Sequence, residues 1–267
     1  MTDPEARARF AELVRRPEVP LGAACLQAAR HLGHPMSVDA GLGRLDRLAD
    51  QVGKVGAGDV AAVVAGLCLD AGFVGDAERY YDLRNSLLGE VLARRRGIPI
   101  TLAVVVIEVA ERRGLTATGV GMPGHFLVGD GAVPTRWFDP FGGPDPLDQA
   151  AARRRFRALH PEEVPFDPAF LRPTPRPQVV GRVLANAAGV LRRDGDPRGL
   201  LRALELRSEI PGVGTTPRAR VELAEALRAV GRIDDAIEVL AAVREQVDPR
   251  RRAILDERLA VLRAARN

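Results

Sequence analysis

Apolar residues recur at helical spacing along the first 75 positions of the chain, and this spacing predicts a helical lead. One apolar stripe covers residues 23–32, and a second carries leucines at every third position over 42–48. Asp59 then opens an almost wholly apolar stretch that closes near Gly72. A helix that is apolar on most of its sides belongs in a protein core, so we expect residues 59–72 to be buried.

Two more helices are predicted by capping and stop signals. Asn85 or Ser86 is expected to cap the first, which runs to about Arg96. Pro99 stands where a first helical position tolerates proline, because the N–H of that residue has no helical partner. The second helix, Ile100 to Arg113, is heavily apolar and ends at a glycine. These signals predict two consecutive helices with a sharp break between them.

The hydrophobic period then changes to that of strands. Residues 116–121, 126–128 and 136–138 are short β-prone stretches separated by glycine and proline, which is typical of a small antiparallel sheet. No other part of the chain is rich in predicted strands. The expected fold class is therefore α+β and mostly helical.

A second region is predicted after a stiff spacer. Residues 147–171 read as a helical bridge, and three prolines follow within residues 172–177. Such a segment favours extended backbone, so we expect a soft boundary between a first domain, 1–172, and a tail, 173–267.

The tail shows weak internal repetition. Leu191 and Gly195 recur as Leu227 and Gly231, 36 residues later. A helix, a turn at glycine, a second helix and a proline is the pattern of a tetratricopeptide repeat. Two such units and a last helix predict a short solenoid, with an unrelated helical bundle as the alternative. A protein or peptide is the partner expected for such a tail.

Composition excludes several classes of protein. The chain of 267 residues is 46% hydrophobic, with 39 basic and 35 acidic residues and a net charge of +4. The pI of about 9.8 follows from arginine, which stays charged at every accessible pH, and aromatic residues are only 4%. We therefore expect no nucleic-acid partner. No apolar run approaches the roughly 18 residues of a membrane span, so no membrane role is expected either.

Cysteine is scarce, which bears on location and on metal binding. Cys25 and Cys68 are the two cysteines, too few for a disulfide scaffold, and the start of the chain lacks the pattern of a signal peptide, so the cytoplasm is expected. Cys25, His31 and His34 lack a fourth ligand and a Cys-x-x-Cys pair. We predict no metal and no cofactor. The arginine runs 94–96 and 153–155 are interpreted as solvated helix faces rather than phosphate sites.

The candidate chemistry lies in residues 80–143. Gly97-Ile98-Pro99 opens a helix, His125 precedes one predicted strand and Asp139 follows another. This order resembles the core of the transglutaminase-like, papain-related fold. Together with residues 81–86 and the repeat tail, it resembles the bacterial SirB family.

The resemblance implies a catalytic arrangement that this chain lacks in part. His125 and Asp139 match the family's base and orienting acid, but Pro99 stands where the cysteine nucleophile would lie. Neither cysteine is expected to replace it, because Cys68 lies in the apolar helix and Cys25 far upstream. Thr101, in the first turn of the same helix, is a tentative hydroxyl nucleophile.

Four further residues are candidates for a cleft around this pair. Asn85, Ser86, Pro99 and Trp137 are candidates to line it. The structural alternatives are a helix cap for Asn85 and Ser86, packing for Trp137, and a turn for Asp139. His125 in turn could be a half-buried histidine that Asp139 satisfies.

Two hypotheses of function follow. The first is a non-catalytic or degenerate transglutaminase-like protein that binds a partner through the His125–Asp139 cleft and the helical tail. The alternative is a cysteine-less hydrolase or acyltransferase for a peptide or amide, with His125 as base and Asp139 as orienter. We predict that the helix start at Pro99, His125 and Asp139 meet in one solvent-reachable cleft, with His125 and Asp139 at hydrogen-bond distance.

Overall fold

A computed structural model describes residues 4–52 and 59–266 and confirms the mostly helical α+β fold. The helices are α1 Pro4–Val14, α2 Leu21–His31, α3 Val38–Val52, α4 Val60–Ala65, α5 Leu88–Arg94, α6 Pro99–Arg112, α7 Gln149–Leu159, α8 Arg176–Arg193, α9 Pro197–Ser208, α10 Pro217–Ala229, α11 Ile233–Arg244 and α12 Pro249–Arg266. The strands are β1 Val74–Gly75, β2 Arg96–Gly97, β3 Ala117–Val120, β4 Leu127–Asp130, β5 Trp137–Phe138 and β6 Pro146–Leu147.

The apolar stretch after Asp59 is helical but not as one α-helix. Asp59 caps α4 by accepting a hydrogen bond from the Ala62 N–H at 2.9 Å. The helix then widens into a π-helical turn over Gly66–Asp70, closed by a bond from the Ala71 N–H to the Gly66 carbonyl. This wider turn rotates the following side chains, and it leaves Cys68 only half-buried.

The predicted N-cap of α5 is wrong. Asn85 and Ser86 lie in a 3-10 turn over Leu83–Ser86, and Leu87 is the residue that precedes α5. The physical reason is that the Asn85 side chain is engaged elsewhere, since its amide donates to the Arg79 carbonyl at 2.7 Å. Pro99 is confirmed as the first residue of α6.

The predicted antiparallel sheet is confirmed, with strand order β3-β4-β5-β6. Alternate residues of its strands face opposite layers, because side chains of a strand point to either side of the sheet in turn. Val128 and Phe138 join the main core with α6, whereas Leu127 and Trp137 pack with Phe156 of α7 in a second cluster. The sheet is thus covered by a helix on each face.

A second, smaller sheet was not predicted. β1 and β2 pair in parallel, with Val74 opposite Arg96 and Gly75 opposite Gly97. Two residues per strand are too few to leave a period in the sequence. The pair ties the segment after the π-helical turn to the start of α6.

The tail consists of α8 to α12, each helix packed against the next. The turns before α9 and α11 contain Gly195 and Gly231, whose φ angles are +69° and +84°, a conformation that favours glycine. One apolar cluster runs from Phe10 through α8 to Leu262, so the core continues across the predicted boundary at residue 172. The division into two domains stays a prediction. Within the described residues, no helix is both long and apolar enough to cross a bilayer.

Candidate functional site

The sheet brings His125 and Asp139 together at one of its ends. His125 follows a tight turn, in which its N–H donates to the Met122 carbonyl at 3.1 Å and Gly124 has φ +73°. Asp139 directly follows β5. Because β4 and β5 are antiparallel, the residues before β4 and after β5 lie at the same edge. His125 Nε2 lies 2.9 Å from Asp139 Oδ2.

The pair lies beneath the surface instead of on an open cleft. His125 is 8% exposed and Asp139 2%. The two facing atoms are close, but neither has a partner along a hydrogen-bond direction. A carboxylate beside Nε2 favours the tautomer that carries its proton there, which leaves Nδ1 as the acceptor. The two side chains are held at ion-pair distance without an aligned hydrogen bond between their facing atoms.

Asp139 also organises the turn that follows it, as the structural alternative predicts. Its Oδ1 accepts from the Phe141 N–H at 3.2 Å, and its carbonyl accepts from the N–H groups of Gly142 and Gly143. The side chain thus has both a backbone role and a contact with His125. A turn role and a site role coexist at this residue.

Three residues near the pair were missed by sequence reasoning. Arg155 of α7 places a guanidinium nitrogen 2.7 Å from Asp139 Oδ2, although its run of arginines was interpreted as a solvated face. The Phe141 ring packs edge-on against His125, and the Tyr80 ring packs edge-on against Phe141, with centroids 6.2 and 6.0 Å apart. Burial raises the pKa of Tyr80 above its ordinary value. No period or spacing in the sequence could have found these contacts, which join distant segments.

The first turn of α6 carries Pro99 and Thr101. Pro99 is buried at the first position of the helix. Thr101 is 1% exposed, and its hydroxyl accepts from the Ile98 N–H at 3.2 Å and lies 2.8 Å from the Asn85 carbonyl, to which it donates. A nucleophilic role would require this hydroxyl to give up its backbone partners. The observed arrangement is that of a helix cap.

The other predicted cleft residues separate into two groups. Asn85 and Ser86 lie beside α6, and Ser86 lines a cavity of about 190 Å³ together with Tyr80, Tyr81, Ile98 and residues of α8. His125 and Asp139 are not among its lining residues. Trp137 faces the other side of the sheet, where its indole N–H donates to the Leu171 carbonyl at 3.2 Å. Ser86 therefore lines a cavity, whereas Trp137 packs in the second core cluster.

Neither cysteine is poised as a thiolate. Burial raises the pKa of Cys25 to about 12, and the nearby Glu108 carboxylate adds to this effect. Burial also raises the pKa of Cys68 to about 11, and the negative charge of Asp139 adds to it. Cys68 lies closer to the candidate site than the sequence indicated, since its Sγ is 4.0 Å from the Pro140 carbonyl oxygen. Cys68 itself lies within the π-helical turn.

Comparison with known proteins identifies the family. A family model described as the transglutaminase-like superfamily matches residues 39–185, more than half of the chain. The chain belongs to the transglutaminase-like superfamily. The match begins within α3 and ends within α8, so it covers the later part of the helical lead, the sheet and the beginning of the tail.

Several relatives carry the name UPF0162 protein. The chain is 44% identical over 138 residues to one from Xylella fastidiosa (strain 9a5c), covering 49% of this chain and 48% of the relative. It is 28% identical over 209 residues to one from Pseudomonas aeruginosa, covering 76% of each. A 56-residue stretch is 38% identical to the mouse F-box only protein 21, covering 21% of this chain and 9% of that protein. The chain spans about half the length of the Xylella relative that it matches. The closer resemblance to the SirB family stays a prediction.

Proposed function

We propose that this protein is a non-catalytic transglutaminase-like module that binds a peptide or amide ligand. The observation that carries the proposal is the first turn of α6, where Pro99 offers no nucleophilic atom and the Thr101 hydroxyl is bonded to backbone groups. Both cysteine thiols are held in their neutral form by burial. Acyl transfer by a thiolate needs an activated sulfur at this turn, which these residues do not supply.

The cavity beside α6 is the proposed entrance for the ligand. It lies between the first turn of α6 and α8, with Ser86 and Ile98 on one side and Asn186 and Gly189 on the other. Arg193 of α8 stacks over the Tyr81 ring at 4.5 Å, which gives the rim a cation and an exposed aromatic face. Tyr80 and Phe141 connect this cavity to His125 through ring contacts. Amide groups and an aromatic rim suit a peptide.

The helical tail is proposed to act as a tetratricopeptide-like repeat that holds a protein or peptide partner. Support comes from the equal 36-residue spacing of Gly195 and Gly231 and of the helix starts at Pro197 and Ile233. Stacked helix pairs of this kind form a continuous concave surface. Because α8 lines the cavity, a bound ligand contacts both core and tail. The two free thiols support our placing the protein in a reducing cytoplasm.

The test of binding uses the four histidines of the chain as reporters. The imidazole proton resonances are recorded by NMR while N-acetyl-glutaminyl-glycine amide is added, and His125→Gln and His34→Gln assign two of them. We expect the His125 resonance to shift on addition of the peptide and the His34 resonance to stay in place. If none of the four resonances moves at millimolar peptide, the binding proposal is wrong.

A pair of variants at one glycine tests the cavity itself. A Cβ built on Gly189 meets no atom within 4 Å, so Gly189→Ala adds one methyl and improves helix propensity. Gly189→Leu fills much of the cavity. We expect the leucine variant to lose the His125 shift and the alanine variant to keep it. Equal shifts in both variants would place the ligand elsewhere.

One observation favours the catalytic alternative enough to test it. The buried Nε2–Asp139 contact is the arrangement that makes Nδ1 of a histidine a base for a substrate or water. The same peptide is incubated with the protein and a labelled primary amine, and ammonia release and amine incorporation are measured. Turnover that disappears in His125→Gln would establish a cysteine-less hydrolase or acyltransferase and overturn the non-catalytic proposal.

A further inference from the structure

A second cavity, away from the candidate site, is lined by three arginines. It has a volume of about 300 Å³ and lies between α3 and the junction of α5 with β2. Arg44 and Arg47 come from α3, and Arg95 comes from the junction. It shares no lining residue with the cavity beside α8. The two cavities are therefore separate sites.

The wall from α3 is a helical stripe. Arg44, Arg47 and Gln51 lie three and seven positions apart, so their side chains leave the same face of the helix. Leu48 lies between them on that face and, with Phe73 and Leu92, supplies buried apolar surface to the cavity. The cavity thus combines cationic and amide groups with an apolar floor.

Arg95 reaches the cavity from an unusual backbone conformation. Its φ is +58°, and it is the one non-glycine residue with positive φ in the part of the chain that the structure describes. Hydrogen bonds on both sides hold it there, from its N–H to the Val91 carbonyl at 2.8 Å and from the Val74 N–H to its carbonyl at 3.0 Å. A left-handed conformation costs conformational energy at any residue that carries a Cβ. Glycine at this helix end would avoid that cost, yet the chain has arginine.

The three guanidinium groups that line the cavity share the lack of a nearby carboxylate on any described residue. Over residues 4–52 and 59–266, Arg44, Arg47 and Arg95 are without a carboxylate at ion-pair distance, although their neighbours are paired. Arg94 lies 3.5 Å from Glu90, and Arg112 bonds Asp46 of α3 at 2.7 Å. Among the residues that the structure describes, no acidic side chain lines the cavity. Like charges gathered without a counter-charge leave a positive potential that an anion would relieve.

We propose that this cavity binds a phosphate monoester whose ester group is aromatic or apolar. A phosphoryl dianion carries enough oxygens and charge for several guanidinium forks, which bind such groups through paired N–H donors. The ester group would lie over the edges of Leu48, Phe73 and Leu92, which are largely buried at the base of the cavity. The same chemistry occurs in a small phosphate ester and in a phosphorylated aromatic side chain of a protein.

The test measures binding of phenyl phosphate by isothermal titration calorimetry at low ionic strength. Arg95→Gly removes one guanidinium and suits the left-handed backbone, and Arg47→Gln removes another from a different element. We expect each to weaken binding at least about tenfold, the loss of one charged hydrogen bond. Arg96→Ala is the matched control, because Arg96 is the exposed neighbour of Arg95 and does not line the cavity. Its affinity should stay within about twofold of the parent.

Thermal unfolding provides a second readout for Arg95→Gly. Because glycine adopts positive φ without strain, the midpoint of unfolding should rise while phosphate binding falls. Phenol, which lacks the phosphoryl group, should not bind. Tighter binding of N-acetyl-phosphotyrosine amide than of phenyl phosphate would identify a protein side chain as the source, and the opposite order a small ester. Unchanged affinity in both arginine variants, or equal binding of phenol, would overturn the proposal.

Discussion

Two histidine–carboxylate pairs in the described part of the chain differ in what surrounds them. His34 Nε2 lies 3.2 Å from Glu90 Oε1, and His125 Nε2 lies 2.9 Å from Asp139 Oδ2. Both histidine side chains are 7% exposed, but the Glu90 side chain is 26% exposed and that of Asp139 only 3%. The two pairs have similar N–O distances, but water reaches the Glu90 carboxylate much more than that of Asp139.

The hydrogen bonds of the two rings also differ. His34 Nδ1 accepts from the Met36 N–H at 3.2 Å, so this ring is bonded through one nitrogen and faces Glu90 with the other. The facing atoms of His125 and Asp139 lack aligned partners. The His34 ring thus has one aligned hydrogen bond, whereas the facing atoms of His125 and Asp139 have none, and such a buried pair is a place where a ligand or a proton can be accommodated. This difference, more than the presence of a histidine and an acid, marks the candidate site.

Removal of the Asp139 carboxylate gives the largest expected effect. Asp139→Ala deletes a buried charge that bonds the Phe141 N–H and faces both His125 and Arg155. We expect it to lower the free energy of unfolding by about 2–4 kcal/mol. Glu90→Ala should cost only about 1 kcal/mol, because water reaches that carboxylate. Urea denaturation of the two variants measures both values, and equal losses would show that the pairs do not differ.

The thiol of Cys68 reports on the Asp139 pair alone. Its pKa is about 11, raised first by burial and then by the charge of Asp139. Asp139→Asn should lower this pKa and speed alkylation by iodoacetamide severalfold at pH 9 to 10, measured in a Cys25→Ala background. Glu90→Gln is the matched control and should leave the rate unchanged. An unaltered rate in Asp139→Asn would mean that the two groups do not interact.

Because the pKa of Cys68 is raised in the folded protein, we expect the free energy of unfolding to fall at alkaline pH. A neutral thiol is favoured in the folded state, so the unfolded chain loses its proton first as the pH rises above 9.0. The contribution of Cys68 is complete below that pH and is lost as the pH rises through about 11. Cys68→Ala should flatten this part of the stability curve. A curve of unchanged slope would contradict the assignment.

The arginine beside Asp139 gives the smallest expected effect. The Arg155 side chain is 38% exposed, so Arg155→Ala should cost about 0.5 kcal/mol. Arg94, near Glu90, also bonds the buried Asn85 side chain, and Arg94→Ala should cost about 1–2 kcal/mol because an amide oxygen loses its partner. Denaturation curves of the two variants test this order. A larger loss in Arg155→Ala than in Arg94→Ala would show that the arginine beside Asp139 contributes more to stability than the arginine that bonds Asn85.

Local signals predicted much of the fold. The period of apolar residues located the helices, and the change of period located the sheet, because both patterns are set by neighbours along the chain. Pro99 was predicted at a helix start for the same local reason. Asn85 was predicted as a cap and is not one, because its side chain contacts Arg79 and Arg94 instead. The local preference of asparagine for a helix N-cap is therefore overridden here, because the buried Asn85 side chain bonds groups that are distant from the helix start.

The candidate site was predicted only in part. His125 and Asp139 were selected by a resemblance in residue order, and the structure brings them within contact. Arg155 and Tyr80 were missed because they reach the site from α7 and from the segment before α5. The depth of burial was not predicted either. It depends on Phe141 and on the turn that Asp139 itself organises.

The sequence by itself determined the helices, the strand period, the proline at the start of α6 and the absence of a cysteine there, because each is a property of neighbouring residues. Tertiary structure alone decided which polar groups are satisfied. In the folded chain the Thr101 hydroxyl bonds the Asn85 backbone, and Trp137 packs on the far face of the sheet. Folding also places Arg44, Arg47 and Arg95 around one cavity. Burial and hydrogen bonding depend on segments that are distant in sequence, and only folding brings those segments together.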